Sequence, residues 1–169
     1  MPACSVTLDP TVVVEDDAGT PEADVLESCP AFQDGPTEYL VCPRTLPHAA
    51  AAHDCALRRA ELASVASEAE NQAIAGYAAE TVGTNVWLGG VRDDELVWRW
   101  ANGDVFWEGG SDGASQQEAF VNWAPGEPND SSTVVADPEK CLALTLGGSD
   151  WNDRACSVSL GYVCERVLD

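Results

Sequence analysis

Five oxygen-bearing side chains gather in the last third of the chain: Glu127 and Asn129 on either side of Pro128, then Glu139, then the adjacent pair Asn152 and Asp153. Carboxylate and carboxamide oxygens are hard donors of the kind that hold Ca²⁺, which takes about six to eight of them in flexible geometry. A calcium ion held on a concave surface keeps positions open for hydroxyl groups of a ligand, and sugars supply such hydroxyls. Pro128 enters the same argument. X-Pro is the one bond at which a cis peptide is cheap, and a cis bond there turns Glu127 and Asn129 towards one side.

The elements that must position these groups are bounded by composition. A chain of 169 residues with 45% apolar content is long enough to bury the core of one domain, and global disorder is excluded. The formal charge of −21 makes contact with nucleic-acid phosphates or anionic lipid headgroups unfavourable and points to cations as partners. Acidity that only keeps a chain soluble would look the same, so charge alone does not argue for calcium. Seven cysteines, at 4, 29, 42, 55, 141, 156 and 164, include no C-x-x-C pair of the zinc or redox type, which leaves disulfides. The odd count leaves one residue over, and spacing does not choose the pairing. Disulfides imply an oxidising compartment: a secreted, extracellular or cell-surface protein. No apolar signal core follows Met1, so the chain reads as processed or trimmed, and no apolar run of about 18 residues predicts a transmembrane helix.

Residues 1–27 hold seven acids and no Lys or Arg, with Val12-Val13-Val14 the one hint of a strand, and read as an acidic tail or linker. Cys29 to Cys42 encloses Pro30, Gly35 and Pro36, the pattern of a small hairpin or loop closed by a local bridge. Pro47 and the Ala-rich run from His48 to Arg59 predict a first helix. Leu62 to Val65 reads as a short strand. Ser67 and Glu70 form a capping box ahead of a second helix over about Ser67 to Glu80. Asn85 to Gly90 and Leu96 to Trp100 read as strands, the second with Trp98 and Trp100 on one face. The Gly-, Asn-, Pro- and Ser-rich stretch 101–140 is too long for an ordinary connection, so it must be functional or held by something such as calcium. Closing strands at Cys141 to Thr145 and Gly161 to Glu165 flank an expected turn at Asn152-Asp153. The fold class is α+β: two early helices, a later antiparallel sheet and a long irregular loop region, stapled by disulfides.

These residues resemble a C-type lectin domain of the long form, over about residues 28–169. Trp87-Leu88-Gly89-Gly90 is similar to the family's W-I-G-L core strand, with Gly90 in place of the usual Leu, and Asn122-Trp123 stands just ahead of Glu127-Pro128-Asn129, as in that family. The resemblance implies the bridges Cys55–Cys164, Cys141–Cys156 and, for the long form, Cys29–Cys42, leaving Cys4 over. It also implies that Glu127, Asn129, Glu139, Asn152 and Asp153 are the ligands of the sugar-binding calcium, with the Asp153 carbonyl a further one. Partners would then be glycans or glycoconjugates. In Glu-Pro-Asn order the acid accepts from a sugar hydroxyl and the amide donates to one, which in the family marks the mannose, glucose, N-acetylglucosamine and fucose class; Gln-Pro-Asp favours galactose.

Two departures accompany the resemblance. The loop between Asn129 and Glu139 is longer than in typical mannose binders, so that Asp137 could substitute for Glu139. At the family's auxiliary calcium site Glu95 and Asp130 match, but Val91 and Lys140 stand where acids would be. The run Asp93-Asp94-Glu95 reads equally as a solvated turn. Met1-Pro2-Ala3-Cys4 is compatible with the remnant of a bacterial lipoprotein acylated at Cys4, surface-anchored or periplasmic, and equally with a free or intermolecular thiol. A protein-binding or adhesin-type module that keeps only the fold is the rival reading, and oligomer state is left open.

Other chemistry lacks its parts. There is no G-x-S-x-G, no H-E-x-x-H and no His near any motif, and a Glu127–Glu139 glycosidase pair would be locked as two anions by calcium, so no enzyme is expected. His48 and His53 do not share one helix face. Trp87, Trp98, Trp100, Trp123 and Trp151 are expected in the core, with Trp107 partly exposed and able to stack on a saccharide. The sequon at Asn129-Asp130-Ser131 would place a glycan on a calcium ligand and is set aside.

Overall fold

The computed structural model describes residues 28–133 and 136–168. The acidic segment 1–27 lies outside the described residues, and with it the strand expected at Val12-Val13-Val14 and any role of Cys4. From Ala31 the chain forms β1 (Ala31–Asp34), β2 (Thr37–Leu46), α1 (His48–Leu57), β3 (Glu61–Leu62), α2 (Glu68–Thr81), β4 (Val86–Arg92) and β5 (Val97–Arg99). It continues through β6 (Val105–Glu108), β7 (Ala114–Ser115), β8 (Glu139–Leu144), β9 (Trp151–Ala155) and β10 (Leu160–Val167).

The strands join in the order β1-β2-β10-β4-β5-β6-β7, with β3 on β10 and β8 on β4 carrying β9 as a branch. Every strand join is antiparallel except β10 with β4, which runs parallel at Gly161 opposite Val86 and Tyr162 opposite Trp87. The expectation of an antiparallel sheet is corrected there. The last strand returns to lie between β2 and β4, a position that two-residue turns cannot reach.

Side chains alternate across a strand, and here both faces are covered. Tyr39 and Val41, Val86 and Leu88, and Leu142 and Leu144 face one core with Ile74, Ala75 and Ala78 of α2. Leu40 and Cys42, Trp87, and Cys141 and Ala143 face a second core with Ala51 and Cys55 of α1. This two-sided burial is why the strands read as continuous apolar runs. Gly90, where the resemblance expects Leu, has its reason in packing: a Cβ there would stand 2.9 Å from the Leu142 side chain and 3.2 Å from Phe106.

Pro47 caps α1, and α2 begins at Ser67, whose Oγ accepts from the Glu70 backbone N–H at 3.2 Å. Glu70 reaches back one residue further than a capping box requires, accepting from Ala66 N at 2.7 Å. His48 is buried, and its Nε2 donates to the Leu88 carbonyl at 2.9 Å. Of the stretch 101–140, β6 and β7 are strands that its Gly-rich composition concealed.

Three disulfides staple the fold: Cys29–Cys42, Cys55–Cys164 and Cys141–Cys156. The second closes 109 residues and the others 13 and 15. On loop-closure entropy the long bridge contributes about 4.7 kcal/mol and each short one about 3 kcal/mol. Replacing Cys55 and Cys164 by Ala therefore lowers the free energy of unfolding in guanidinium more than replacing either other pair. An equal loss for all three pairs would refute the ranking.

Candidate metal centre

The site is built where an irregular segment docks along β9. Trp151 N donates to the Asn122 carbonyl at 2.7 Å and Ala124 N donates to the Trp151 carbonyl at 2.9 Å, so 122–124 runs beside the strand. Asn122 and Asn71 both donate through Nδ2 to the Ser149 carbonyl, at 2.7 and 2.6 Å, which fixes the turn before β9. The Trp123 ring packs edge-on against Trp151, centroids 5.8 Å apart, within an aromatic cluster that includes Trp98, Trp100 and Phe106. A tight turn follows: Glu127 N donates to the Ala124 carbonyl at 2.9 Å, with Pro125 next and Gly126 at φ +90°, the arrangement of a type II turn. The Glu127–Pro128 peptide is cis.

This docking brings Glu127 and Asn129 to β9. Asp153, 1% exposed, accepts from Asn129 N at 3.1 Å and from Asp130 N at 2.8 Å. Glu139, at the start of β8, accepts through Oε2 from Ser131 N at 2.8 Å and Ser131 Oγ at 3.1 Å. Four of the five expected ligands are thus tied together by direct bonds or through one neighbouring residue. Asn152 reaches the site only by adjacency, half-buried on β9 opposite Ala143. The Asn152-Asp153 pair was expected in a turn and lies in a strand. The turn comes earlier, where Gly147 and Gly148 stand and Ser149 N donates to Thr145 O.

Electrostatics single out Glu127. Burial, then hydrogen-bond contact with the Asp153 carboxylate, then the charges of Asp153 and Glu139 push its carboxyl up to about 7 from an ordinary 4.5. Its Oε2 is buried with no hydrogen-bond partner. An unpartnered buried carboxylate oxygen among two further carboxylates has the chemistry of a hard-cation ligand set. The carboxylates of Glu127, Glu139 and Asp153 do not close into a trio with oxygens mutually within 4.8 Å. Among the described residues the trio that does close that tightly is Cys29, Cys42 and Asp54, whose sulfurs are bonded to each other.

Two basic residues complete the surroundings. Arg92, 7% exposed at its side chain, donates through Nη2 to Asp130 Oδ2 at 2.7 Å and to the Glu139 carbonyl at 3.2 Å, while Asp130 Oδ1 accepts from Glu139 N at 2.8 Å. Lys140 pairs with Asp94. Asp130 and its neighbours are therefore held by organic cations, and Glu95 is left exposed. Sequence reasoning missed Arg92; the signal was a lone base ending a buried strand beside an acidic turn. Asp137 accepts from Ser157 Oγ and is committed away from Glu139. Trp107 is half-buried, its ring against Gly113 and Trp123 and its Nε1 donating to the Gly110 carbonyl at 3.2 Å.

A family description of the Lectin C-type domain matches residues 44–166. The chain belongs to the C-type lectin domain family. Perlucin of Haliotis laevigata is 31% identical over 121 residues, covering 70% of this chain and 68% of perlucin. C-type mannose receptor 2 of Rattus norvegicus is 29% identical over 117 residues, covering 66% of this chain but 7% of the receptor. The structure resembles the cow CD23 carbohydrate-recognition domain determined in the presence of a GlcNAc2Man3 oligosaccharide, with TM-score 0.66, 25% identity, and 84% of this chain and 98% of that one covered. It also resembles a calcium-independent type II antifreeze protein, with TM-score 0.63, 22% identity, and 82% and 94% covered. This C-type lectin domain therefore shares its fold both with a carbohydrate-recognition domain and with a calcium-independent antifreeze protein.

Because the folded calcium-free state holds the Glu127 proton more tightly than the unfolded chain does, stability falls as pH rises from about 4.5 to about 7 and the full penalty stands above that range. Glu127→Gln removes the charge and keeps the shape. In chelator at pH 8 it raises the unfolding midpoint, and at pH 4 the gain vanishes; a midpoint lowered at both pH values would contradict the account of the site.

Proposed function

We propose that this C-type lectin domain binds neutral glycans through one calcium ion held by Glu127, Asn129, Glu139, Asn152 and Asp153, selecting the equatorial vicinal hydroxyls of the mannose, glucose, N-acetylglucosamine and fucose class. The observation that carries the reading is the buried Glu127 oxygen with no partner beside Asp153 and Glu139. Such a cluster is costly when empty, and a divalent cation offsets its repulsion. When bound, calcium supplies two open positions for sugar hydroxyls. Around each hydroxyl, Glu127 accepts its proton and Asn129 donates to its free lone pair.

The three disulfides fit a secreted or cell-surface protein. No helix among the described residues is long and apolar enough to cross a membrane. We assign residues 28–169 to the binding domain and 1–27 to a tail, whose Cys4 intact-mass measurement would show as acylated or free. The second reading, a module binding protein rather than sugar, is favoured by one observation, the likeness to a calcium-independent fold relative.

Calcium decides between them. At 100 times its dissociation constant, calcium stabilises the folded state by about 2.7 kcal/mol, whereas a calcium-independent module shows no shift between calcium and chelator. Glu127→Gln gains stability in chelator yet loses calcium's effect, a reversal of sign that a purely structural Glu127 would not give. Immobilised mannose retains the protein in millimolar calcium more strongly than galactose, and the double change Glu127→Gln with Asn129→Asp reverses that order. Stronger retention of the unaltered protein on galactose would overturn the mannose-class assignment.

A further inference from the structure

The turn between β4 and β5 carries a residue its own geometry does not call for. Leu96 has φ +64° and is 40% exposed, a left-handed backbone that costs strain for an apolar residue with a Cβ and that Gly or Asn adopts freely. The turn is already secured without it. Asp93 Oδ1 accepts from Glu95 N at 3.1 Å and from Val97 N at 2.8 Å, and Asp93 N donates to the Val97 carbonyl at 3.1 Å.

What Leu96 does touch is space. Its side chain lines a cavity of about 280 Å³ that shares Pro128, Asn129 and Asp153 with the metal centre and is also lined by Gly109, Gly110 and Asp112, Gly109 N donating to the Leu96 carbonyl at 2.9 Å. The neighbouring lining is fixed by glycine: Gly109 stands at φ +108°, and a Cβ on it would come within 2.7 Å of Gly113 Cα. A Cβ on Gly110 would meet the Pro128 carbonyl at 3.7 Å and Asp112 at 3.9 Å in ordinary contact, so a side chain there is accommodated within the cavity lining.

Charge restricts the occupant. The Arg92 guanidinium on this wall is neutralised by Asp130, while Asp112 and Asp153 add negative charge in a chain of net −21. An anionic ligand is disfavoured, and the walls combine apolar Leu96 and Pro128 with carboxylate and amide acceptors and donors. A pyranose ring has that dual character, with a C–H face and a rim of hydroxyls.

We propose that this cavity is a subsite for a second, neutral sugar residue, whose C–H face packs on Leu96, beside the residue bound at the calcium centre. The proposal rests on the calcium-dependent sugar reading above. It accounts for a strained leucine kept at an exposed turn directly beside the metal ligands.

The test compares methyl α-mannoside with an α-linked mannose disaccharide by calorimetry in millimolar calcium, for the unaltered domain, Leu96→Gly and Gly110→Val. The unaltered domain prefers the disaccharide by about tenfold, the scale of partial burial of one leucine side chain. In both variants the preference collapses towards one. Leu96→Gly relieves the left-handed Cβ, so its unfolding midpoint holds, and Gly110→Val fills the cavity from a lining residue outside the β4–β5 turn. A preference retained in both variants, or a stronger preference for a sialylated disaccharide, overturns the subsite. Equal binding of both sugars by the unaltered domain overturns the subsite alone, whereas binding of neither sugar overturns the calcium reading with it.

Discussion

Three carboxylates confined at one place, with fewer donors than they have oxygens, are the constraint on which the candidate site depends. Asp153 is satisfied by two backbone N–H groups of the docked loop and Glu139 by Ser131, while Glu127 Oε2 is left without a partner. The dependence runs both ways. The loop amides are aimed by the Asp153 charge, and that charge is tolerated in a 1% exposed position because the amides are there. Glu127 is the remainder of this arrangement, and its elevated proton affinity follows from burial beside the Asp153 and Glu139 carboxylates.

The scaffold supplies the rigidity this confinement needs. Trp151 belongs at once to the aromatic core and, through its backbone N–H and carbonyl, to the ladder that captures 122–124. A change in the packing of that ring is thereby felt two residues away at Asp153. The sheet beneath is buried on both faces, so β8 and β9 have little freedom to move apart. Interiors packed at crystal-like density transmit displacements rather than absorb them, so the candidate ligands are held in a fixed relation to one another.

The sequence showed the helices and most strands because their signals are local: Ser67 with Glu70 marks a helix start, and Val86 to Gly90 is a continuous apolar run. It also marked the candidate ligand residues, because Glu127-Pro128-Asn129 and Asn152-Asp153 are contiguous. The rest depends on pairing across distance. The parallel join of β10 to β4 leaves no local trace, and β6 and β7 are short strands inside a Gly-rich stretch whose composition argues against them. Asn152-Asp153 reads as a turn from its residue types, but pairing with β8 overrides that preference. Gly90 and Arg92 acquire meaning only from what they meet: Leu142 and Phe106 for the glycine, Asp130 and the Glu139 carbonyl for the arginine.

Arg92 and Lys140 also bear on how the domain would bind. A guanidinium built into the chain holds Asp130 against the start of β8, so on the proposed calcium reading an ion arriving at Glu127 would have less of the loop left to order and correspondingly less entropy to overcome. Contact with a single monosaccharide remains small in area, and strength at a surface comes from several domains presented together. The fold suits such presentation. Thr37 of β2 pairs with Val167 of β10, and Leu168 N donates to the Pro36 carbonyl, so the described chain leaves beside the β1–β2 turn, while Glu139, Asn152 and Asp153 lie in β8 and β9. For domains presented on a tether, the effective concentration of sites is governed by the length of that tether rather than by any rearrangement within the domain.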